Sequence, residues 1–491
     1  MGRERVYLIL FKSILIVLLG AVSYPEINQL GLVCIIPISI IMLSTLLKGD
    51  LFSFILQIFV GCHFTYGKQI GGVFTLSATL SLVIYILLNR KTITNNKSSF
   101  SNSQKYIIYG LLFLQILSLL LASSFETYKK LISILFFCCL TLIVLYSSKS
   151  LISKFDIRRF YVIIFYSSLY ILLVALNQNY KIISDSPLFP TYTEDAVFEK
   201  GIFRSSGTLL NFEYFGEYSL GIMMLLTPGI VSGSLKKYSK YIYYICLFSV
   251  LISFYCIILS GTRSTLFLLP FFLIYIFFIY KKYVAFMKIL LGFFLLLILF
   301  SNVNIGSYIN LKSFSDRNEN LGAFSFDKVL NGEAINRAST FTYGLAKISK
   351  KAKGISILIG EGYYTTREEY RKTHFDESNI VFPDYHNFYM SSIVLWGVLG
   401  VILFVSLFAS FLYKGVFFFK TNNAGTISSD LICGFNLFFI VFLINQFKIQ
   451  FIRDSNYFML ILIFLVIYSN LISSTYTLIH LKKRNENSLV Y

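Results

Sequence analysis

Charge is what this chain of 491 residues has least of. Only 14% of its residues are charged, against 56% that are hydrophobic, where a soluble globular chain carries about 25% charged. That scarcity excludes a soluble domain and leaves a polytopic membrane protein. Histidine is rare as well, four residues in all, and no His, Cys, Asp or Glu grouping has metal-ligand spacing. No metal or other cofactor is expected. The seven cysteines all lie in apolar runs, without C-x-x-C spacing, and read as buried thiols. None falls in the longest polar segment, so no disulfide framework holds that segment. There is no fixed-period repeat and no low-complexity domain.

What is present is hydrophobic length. Crossing a hydrocarbon core as helix takes about 17 to 20 apolar residues, and fourteen runs qualify, centred on 6–22, 30–47, 51–66, 70–88, 106–123, 131–147, 160–177, 210–231, 241–260, 263–280, 284–301, 387–413, 430–447 and 457–478. The third is short enough to be re-entrant. The expected fold is an all-α polytopic integral membrane protein of about 14 transmembrane helices, with a large extracytoplasmic loop containing amphipathic helices. The formal charge of +19 would suit nucleic acid only if the basic residues gathered on one face. They are instead concentrated in alternate connections such as NRKTITNNK, SKSLISKFDIRR, SLKKYSK, KKYVAFMK and the HLKKRNEN tail. That is the positive-inside pattern, and it puts both termini in the cytoplasm. The basic, apolar N-terminus reads as an uncleaved first span rather than a signal peptide.

Three regions follow: residues 1–301 with eleven spans and an outer loop at 178–209, a large outer loop at 302–386, and residues 387–491 with three more spans and a cytoplasmic tail. A loop as long as the second inside a compact membrane domain is usually functional. Within it Ile335, Ala338, Phe341, Leu345 and Ile348 form an apolar stripe with lysines opposite, the pattern of an amphipathic helix at the membrane surface.

The residues that stand out chemically collect at the expected outer face: Arg204, Glu213, Glu217, Arg263, Arg337, His386 and Arg453. An arginine at bilayer depth costs about 2.5 to 3.5 kcal/mol on insertion scales, so it faces a partner, a cavity or a pathway. Snorkelling to lipid phosphates is the plain reading of Arg263. Several guanidinium forks on one face point instead to an anionic, phosphate-bearing ligand. His386 is either a general base or a hydrogen-bonder at a helix start. Glu213 and Glu217 share one helix face four residues apart, as an acid pair, a proton relay or structural partners of an arginine. His63, His374 and His480 carry no such context.

Four patches resemble the O-antigen polymerase and O-antigen ligase family of bacterial surface-polysaccharide assembly. FRSSGTLLNFEYFGEYS is similar to its Arg-x-x-Gly-Thr-x-x-Asn segment, and LSGTRSTLFLLP to its Ser-x-x-Arg helix turn. RASTFTYGL with GEGYY resembles its Arg, aromatic and Gly-x-Gly loop, and HNFYMSSIVLWGVLG its His-Asn-x-Tyr with a downstream Gly-x-x-Gly. Two departures exist: a common Asn-Pro-Asn is here Asn211-Phe212-Glu213, and a tryptophan that commonly follows the loop arginine is replaced by Phe341.

The resemblance implies metal-independent glycosyl transfer on the outer face of the bacterial inner membrane, from an undecaprenyl-diphosphate-linked oligosaccharide repeat unit. It implies that Arg204, Arg263 and Arg337 hold the diphosphate, that His386 is the catalytic base, and that Asn387, Tyr389 and Asn211 orient substrate. Glu213, Glu217 and Arg453 are secondary candidates. The number of spans and the Phe and Tyr richness favour a capsule or O-antigen polymerase, with a chain-length regulator as a further partner. An O-antigen ligase acting on lipid A-core is the alternative, and a lipid-linked oligosaccharide flippase or a scaffold subunit of the assembly complex are more distant ones. Lipid-linked glycan, membrane lipids and that regulator are the partners expected; nucleic acid is not.

Overall fold

The computed structural model describes residues 12, 15, 27–48, 53–55, 57–59, 68–89, 101–120, 157–184, 189, 204–209, 211–282, 355–360, 387–421 and 426–447, with 457, 460–461, 463–469 and 471–472 near the C-terminus. Among these residues every regular element is helical, as lipid demands of a backbone that must satisfy its own hydrogen bonds. The helices are α1 (Ile27–Leu47), α2 (Lys68–Leu88), α3 (Asn102–Leu120), α4 (Ile157–Tyr180), α5 (Phe212–Ser232), α6 (Ser234–Tyr238), α7 (Lys240–Ser260), α8 (Arg263–Ile279), α9 (Ser356–Ile359), α10 (Phe388–Thr421) and α11 (Ile427–Asn445). The described residues between 457 and 472 are helical too. Among the described residues four helices are both long and apolar enough to cross a membrane: α4, α7, α11 and the Leu395–Phe419 part of α10. The fourteen-span count rests in part on runs outside the described residues, among them 131–147, 284–301 and all of 6–22 but residues 12 and 15. The expected amphipathic helix at 335–348 lies outside them as well.

The bundle is built around α5. Its side chains from Glu213 to Gly229 are all buried, and it packs against α11, α7 and α8. Lipid offers no hydrophobic drive between helices, so close approach depends on small residues. A Cβ at Gly434 of α11 would sit 2.2 Å from the Leu225 carbonyl oxygen of α5, and one at Gly221 would sit 2.6 Å from the Phe438 ring. On the other flank, a Cβ at Gly216 would lie 2.8 Å from Ser260 Oγ at the end of α7. These glycines let three backbones close on one another. Outward faces of α7 and α8 keep Phe248, Leu251, Phe267, Phe271 and Phe278 exposed, the composition of a surface that faces lipid.

The two ends of α5 are polar in different ways. At its C-terminus Ser232 donates to Asp430 Oδ2 at 2.5 Å, and Tyr280, closing α8, donates to Asp430 Oδ1 at 2.5 Å. Asp430 thereby ties α5, α8 and the first turn of α11. At the N-terminus of α5 lie the residues singled out in the sequence.

Candidate functional site

The Arg204 segment is held by the end of α4. Gln178 Oε1 accepts from the backbone N–H groups of Ser206 and Gly207, each at 3.0 Å, and its Nε2 donates to the Gly207 carbonyl at 2.9 Å. Asn179 Nδ2 donates to Ser205 Oγ at 2.7 Å, and Ser205 N–H donates to the Leu259 carbonyl of α7 at 3.1 Å. These bonds pin an otherwise irregular chain on both sides. The Arg204 guanidinium lies over the Phe212 ring, 4.6 Å from its centroid, a cation–π placement that fixes its plane. Its stem passes so near Gly261 that a Cβ there would be 3.4 Å from Arg204 Nε.

The turn between α7 and α8 is short because Gly261 adopts φ 58° and caps α7, its N–H donating to the Ile258 carbonyl at 3.0 Å. Thr262 then donates from Oγ1 to the Phe212 carbonyl at 3.1 Å, binding this turn to the first residue of α5. Arg263 opens α8, so its backbone stands next to the Arg204 segment; its side chain lies outside the described residues. Asn211 caps α5, its Oδ1 accepting from Glu213 N–H at 2.6 Å. That is an N-cap role, so the Asn211 expected to orient substrate is engaged in starting a helix.

The His-Asn patch is attached from the other side. Asn387 caps α10 by accepting from Met390 N–H at 3.1 Å, while its Nδ2 donates to the Phe447 carbonyl at 3.0 Å. Phe388 N–H donates to the Gln446 carbonyl at 2.9 Å, and Tyr389 Oη donates to the Leu443 carbonyl at 2.9 Å. The start of α10 thus hangs from the last turn of α11. Gln446 Nε2 in turn donates to Glu217 Oε1 at 3.3 Å, and Tyr457 Oη donates to the same oxygen. Tyr457 also stacks on Tyr214, ring centroids 4.8 Å apart. Glu213 and Glu217 are both buried in α5, and Glu217 is a structural acceptor across three segments.

The Gly-x-Gly and Gly-x-x-Gly elements meet backbone to backbone. Within α10 the helical angles break at Gly397, φ 70° and ψ −176°, where a Cβ would fall 2.1 Å from the Leu358 carbonyl oxygen. Reciprocally, a Cβ at Gly360, φ 79°, would fall 2.4 Å from the Leu395 carbonyl.

Arg204, Asn211, the backbone of Arg263, Glu213, Glu217, Asn387 and Tyr389 therefore gather at one end of the bundle, around the first two turns of α5. His386 precedes Asn387 in sequence; it, Arg337 and Arg453 lie outside the described residues. The residues that sequence reading overlooked are Gln178, Gln446 and Tyr457. Their signal is a hydrogen-bonding side chain placed within or at the end of an apolar run, where its burial needs a partner. Among the described residues no group of three His, Cys, Asp or Glu side chains is placed to hold a metal.

Long apolar helices closing on a polar, arginine-bearing end define a multi-pass membrane protein. The sequence of that same part carries a likeness: a family model described as O-antigen ligase matches residues 248–405, which supports the O-antigen ligase and polymerase family. The matched stretch contains the Arg263 turn, the Gly-x-Gly loop and the His386 patch. Arg204 precedes it in sequence and is brought to it by folding, against Gly261. No curated protein matches the chain. A role in polysaccharide polymerisation or ligation, of the membrane glycosyltransferase type, rests on that match.

Proposed function

We propose that the protein is a polysaccharide polymerase that transfers a polyprenyl-diphosphate-linked glycan to the next lipid-linked repeat unit at the outer face of the inner membrane. In the reaction an acceptor hydroxyl oxygen bonds to the anomeric carbon of the donor glycan. The bond from that carbon to the diphosphate breaks, and polyprenyl diphosphate departs with the electron pair. Arg204, Arg263 and Arg337 neutralise the departing charge, the electrostatic work of preorganised cations. His386 takes the hydroxyl proton, a contribution of about 10² to 10⁴ in rate, and Asn387 and Tyr389 fix the chain that carries it. The chemistry uses no metal.

The observation that carries this reading is the convergence of Arg204, the head of α8 and the Asn387 turn on the first turns of α5, from segments far apart in sequence. Anion-binding groups and a base beside them are the minimum that such a transfer needs. A carrier would favour polar, broken helices at mid-membrane depth. Here Arg204 and the backbone of Arg263 sit at a bundle end.

The test is surface-glycan length by gel in a deletion strain complemented with wild type, His386→Ala or Arg263→Ala at matched membrane abundance. Restoration of a ladder by wild type alone, with both variants stopping at one capped repeat, is the expected result. Lipid A-core bearing no repeat in the deletion strain assigns ligation or flipping instead. A normal ladder from His386→Ala removes the base assignment.

A further inference from the structure

The chain of bonds from Glu217 to the start of α10 has the form of a positioning device. Glu217 lies two turns into α5, whose first residue is tied to the Arg204 and Thr262 segments. Its Oε1 accepts from Gln446 and Tyr457. Gln446 is the C-cap of α11, and the Leu443, Gln446 and Phe447 carbonyls receive Tyr389, Phe388 and Asn387. A single carboxylate oxygen therefore links the helix that carries the arginine side of the site to the turn from which Asn387, Phe388 and Tyr389 hang. Both donors to that oxygen are buried, Gln446 at 0% and Tyr457 at 0% exposure, and Glu217 itself is 2% exposed. Such bonds are strengthened because water is excluded from them.

We infer that Glu217 is a positioning residue: through Gln446 and Tyr457 it sets the separation between the segment of Arg204 and the Arg263 backbone and the Asn387–Tyr389 turn that follows His386 in sequence. This rests on the transfer reaction proposed above, but the linkage has a readout of its own. Trp396 is the single tryptophan of the chain, buried on α10, with its ring 6.2 Å from Phe388 at the α10 start. Its emission reports whether that start is seated.

The experiment compares full-length wild type, Glu217→Gln, Glu217→Ala, Gln446→Met and His386→Ala in lipid nanodiscs. Acrylamide quenching of Trp396 is measured alongside steady-state elongation of a lipid-linked repeat unit. Glutamine keeps an acceptor oxygen where the carboxylate oxygen stands, so Glu217→Gln is expected to stay within about twofold of wild type in both. Glu217→Ala and Gln446→Met are expected to quench more readily and to lose on the order of 10- to 100-fold in kcat, the penalty of a misplacement near 1 Å, with KM for the donor lipid little changed. Glu217→Gln as inactive as Glu217→Ala would mean that the carboxylate acts chemically, and the positioning role falls. It falls equally if Glu217→Ala, folded and monodisperse, keeps wild-type quenching and kcat. Full activity in His386→Ala overturns the reaction assignment alone, because the quenching comparison still decides the linkage.

Discussion

Replacing Gly397 by alanine attacks the contact in which two backbones touch. Gly397 occupies φ 70°, ψ −176°, a region essentially reserved for glycine, and a side chain held there costs about 1–3 kcal/mol. The added methyl group also lands 2.1 Å from the Leu358 carbonyl oxygen, 2.2 Å from its carbon and 2.5 Å from Ile359 N. All three are main-chain atoms of α9, so no rotamer change relieves the overlap, and overpacking of this kind adds about 1–3 kcal/mol. The combined loss for Gly397→Ala is about 2–6 kcal/mol. Gly233→Ala isolates the backbone share, since Gly233 also has positive φ, 79°, but a Cβ there meets nothing within 4 Å. It should cost only about 1–2 kcal/mol.

Thermal unfolding of the full-length protein in one detergent, at one scan rate and followed by Trp396 emission, orders the three proteins. Wild type should be highest, Gly233→Ala a few degrees lower, and Gly397→Ala lowest. Gly360→Ala should resemble Gly397→Ala, because its Cβ would be 2.4 Å from the Leu395 carbonyl. The double variant should lose less than the two single losses together, since one separation of α9 from α10 relieves both overlaps. A Gly397→Ala melting temperature equal to that of Gly233→Ala would refute the close backbone contact.

Arg204→Lys keeps the charge but loses the planar fork and its seat on the Phe212 ring, 4.6 Å away; elongation should fall at least tenfold with unchanged thermal stability, because lysine does not replace arginine at a stacked or bidentate site. Tyr280→Phe removes a 2.5 Å hydrogen bond to Asp430 at the opposite end of the bundle and should cost about 1.5–3 kcal/mol of stability, with kcat per folded molecule unaltered in a nanodisc assay. The role given to His386 predicts a rate that falls on the acid side as the base is protonated; a pH–rate profile with no such limb in wild type contradicts it. Excess EDTA should leave the rate of elongation of purified protein unchanged, and restoration of a lost rate by a divalent cation would exclude the metal-independent chemistry.

Helix identity was legible from hydropathy, and the ends were less so. The apolar runs at 70–88 and 263–280 fall on α2 and α8 to within about two residues. Elsewhere helices outrun the apolar stretch: α4 begins at Ile157 rather than 160, and α3 at Asn102 rather than 106. A backbone hydrogen bond remains worth keeping until water can replace it. The largest extension is α10, which continues to Thr421 although the apolar run ends before Lys414. That lysine donates to Gln104 Oε1 of α3 at 2.6 Å, so a charge that reads as a helix end is a partnered amine on a helix that goes on. Past its break at Gly397 α10 still runs about 36 Å by the rise of an α-helix, more than a hydrocarbon core requires.

The site was legible where one residue type carries the message, as at Arg204, Arg263 and the Asn387–Tyr389 pair, because charge or a cap at the end of an apolar run is conspicuous. Residues that act by holding others were not. Gln178, Gln446 and Tyr457 reach their partners across the fold, Glu217 being 229 and 240 positions from the last two. No local period or spacing encodes a pairing of that length.

The division of labour along α5 explains why its middle and its ends have such different chemistry. From Leu220 to Leu226 its side chains are apolar apart from Gly221, and the seam with α11 is closed by Gly221 against Phe438 and Gly434 against Leu225. Close main-chain approach of this kind resists sliding, because any shift along the axis drives a ring or a carbonyl into the opposing backbone. A helix fixed in register at its centre by steric contact is a dependable bar on which to mount two groups of polar residues. One end carries Asp430 and its two donors as a lock; the other carries the Arg204 and Thr262 contacts on its first residue and the Glu217 link further along. The separation between the Arg204 segment and the Asn387 turn is therefore set by helical geometry.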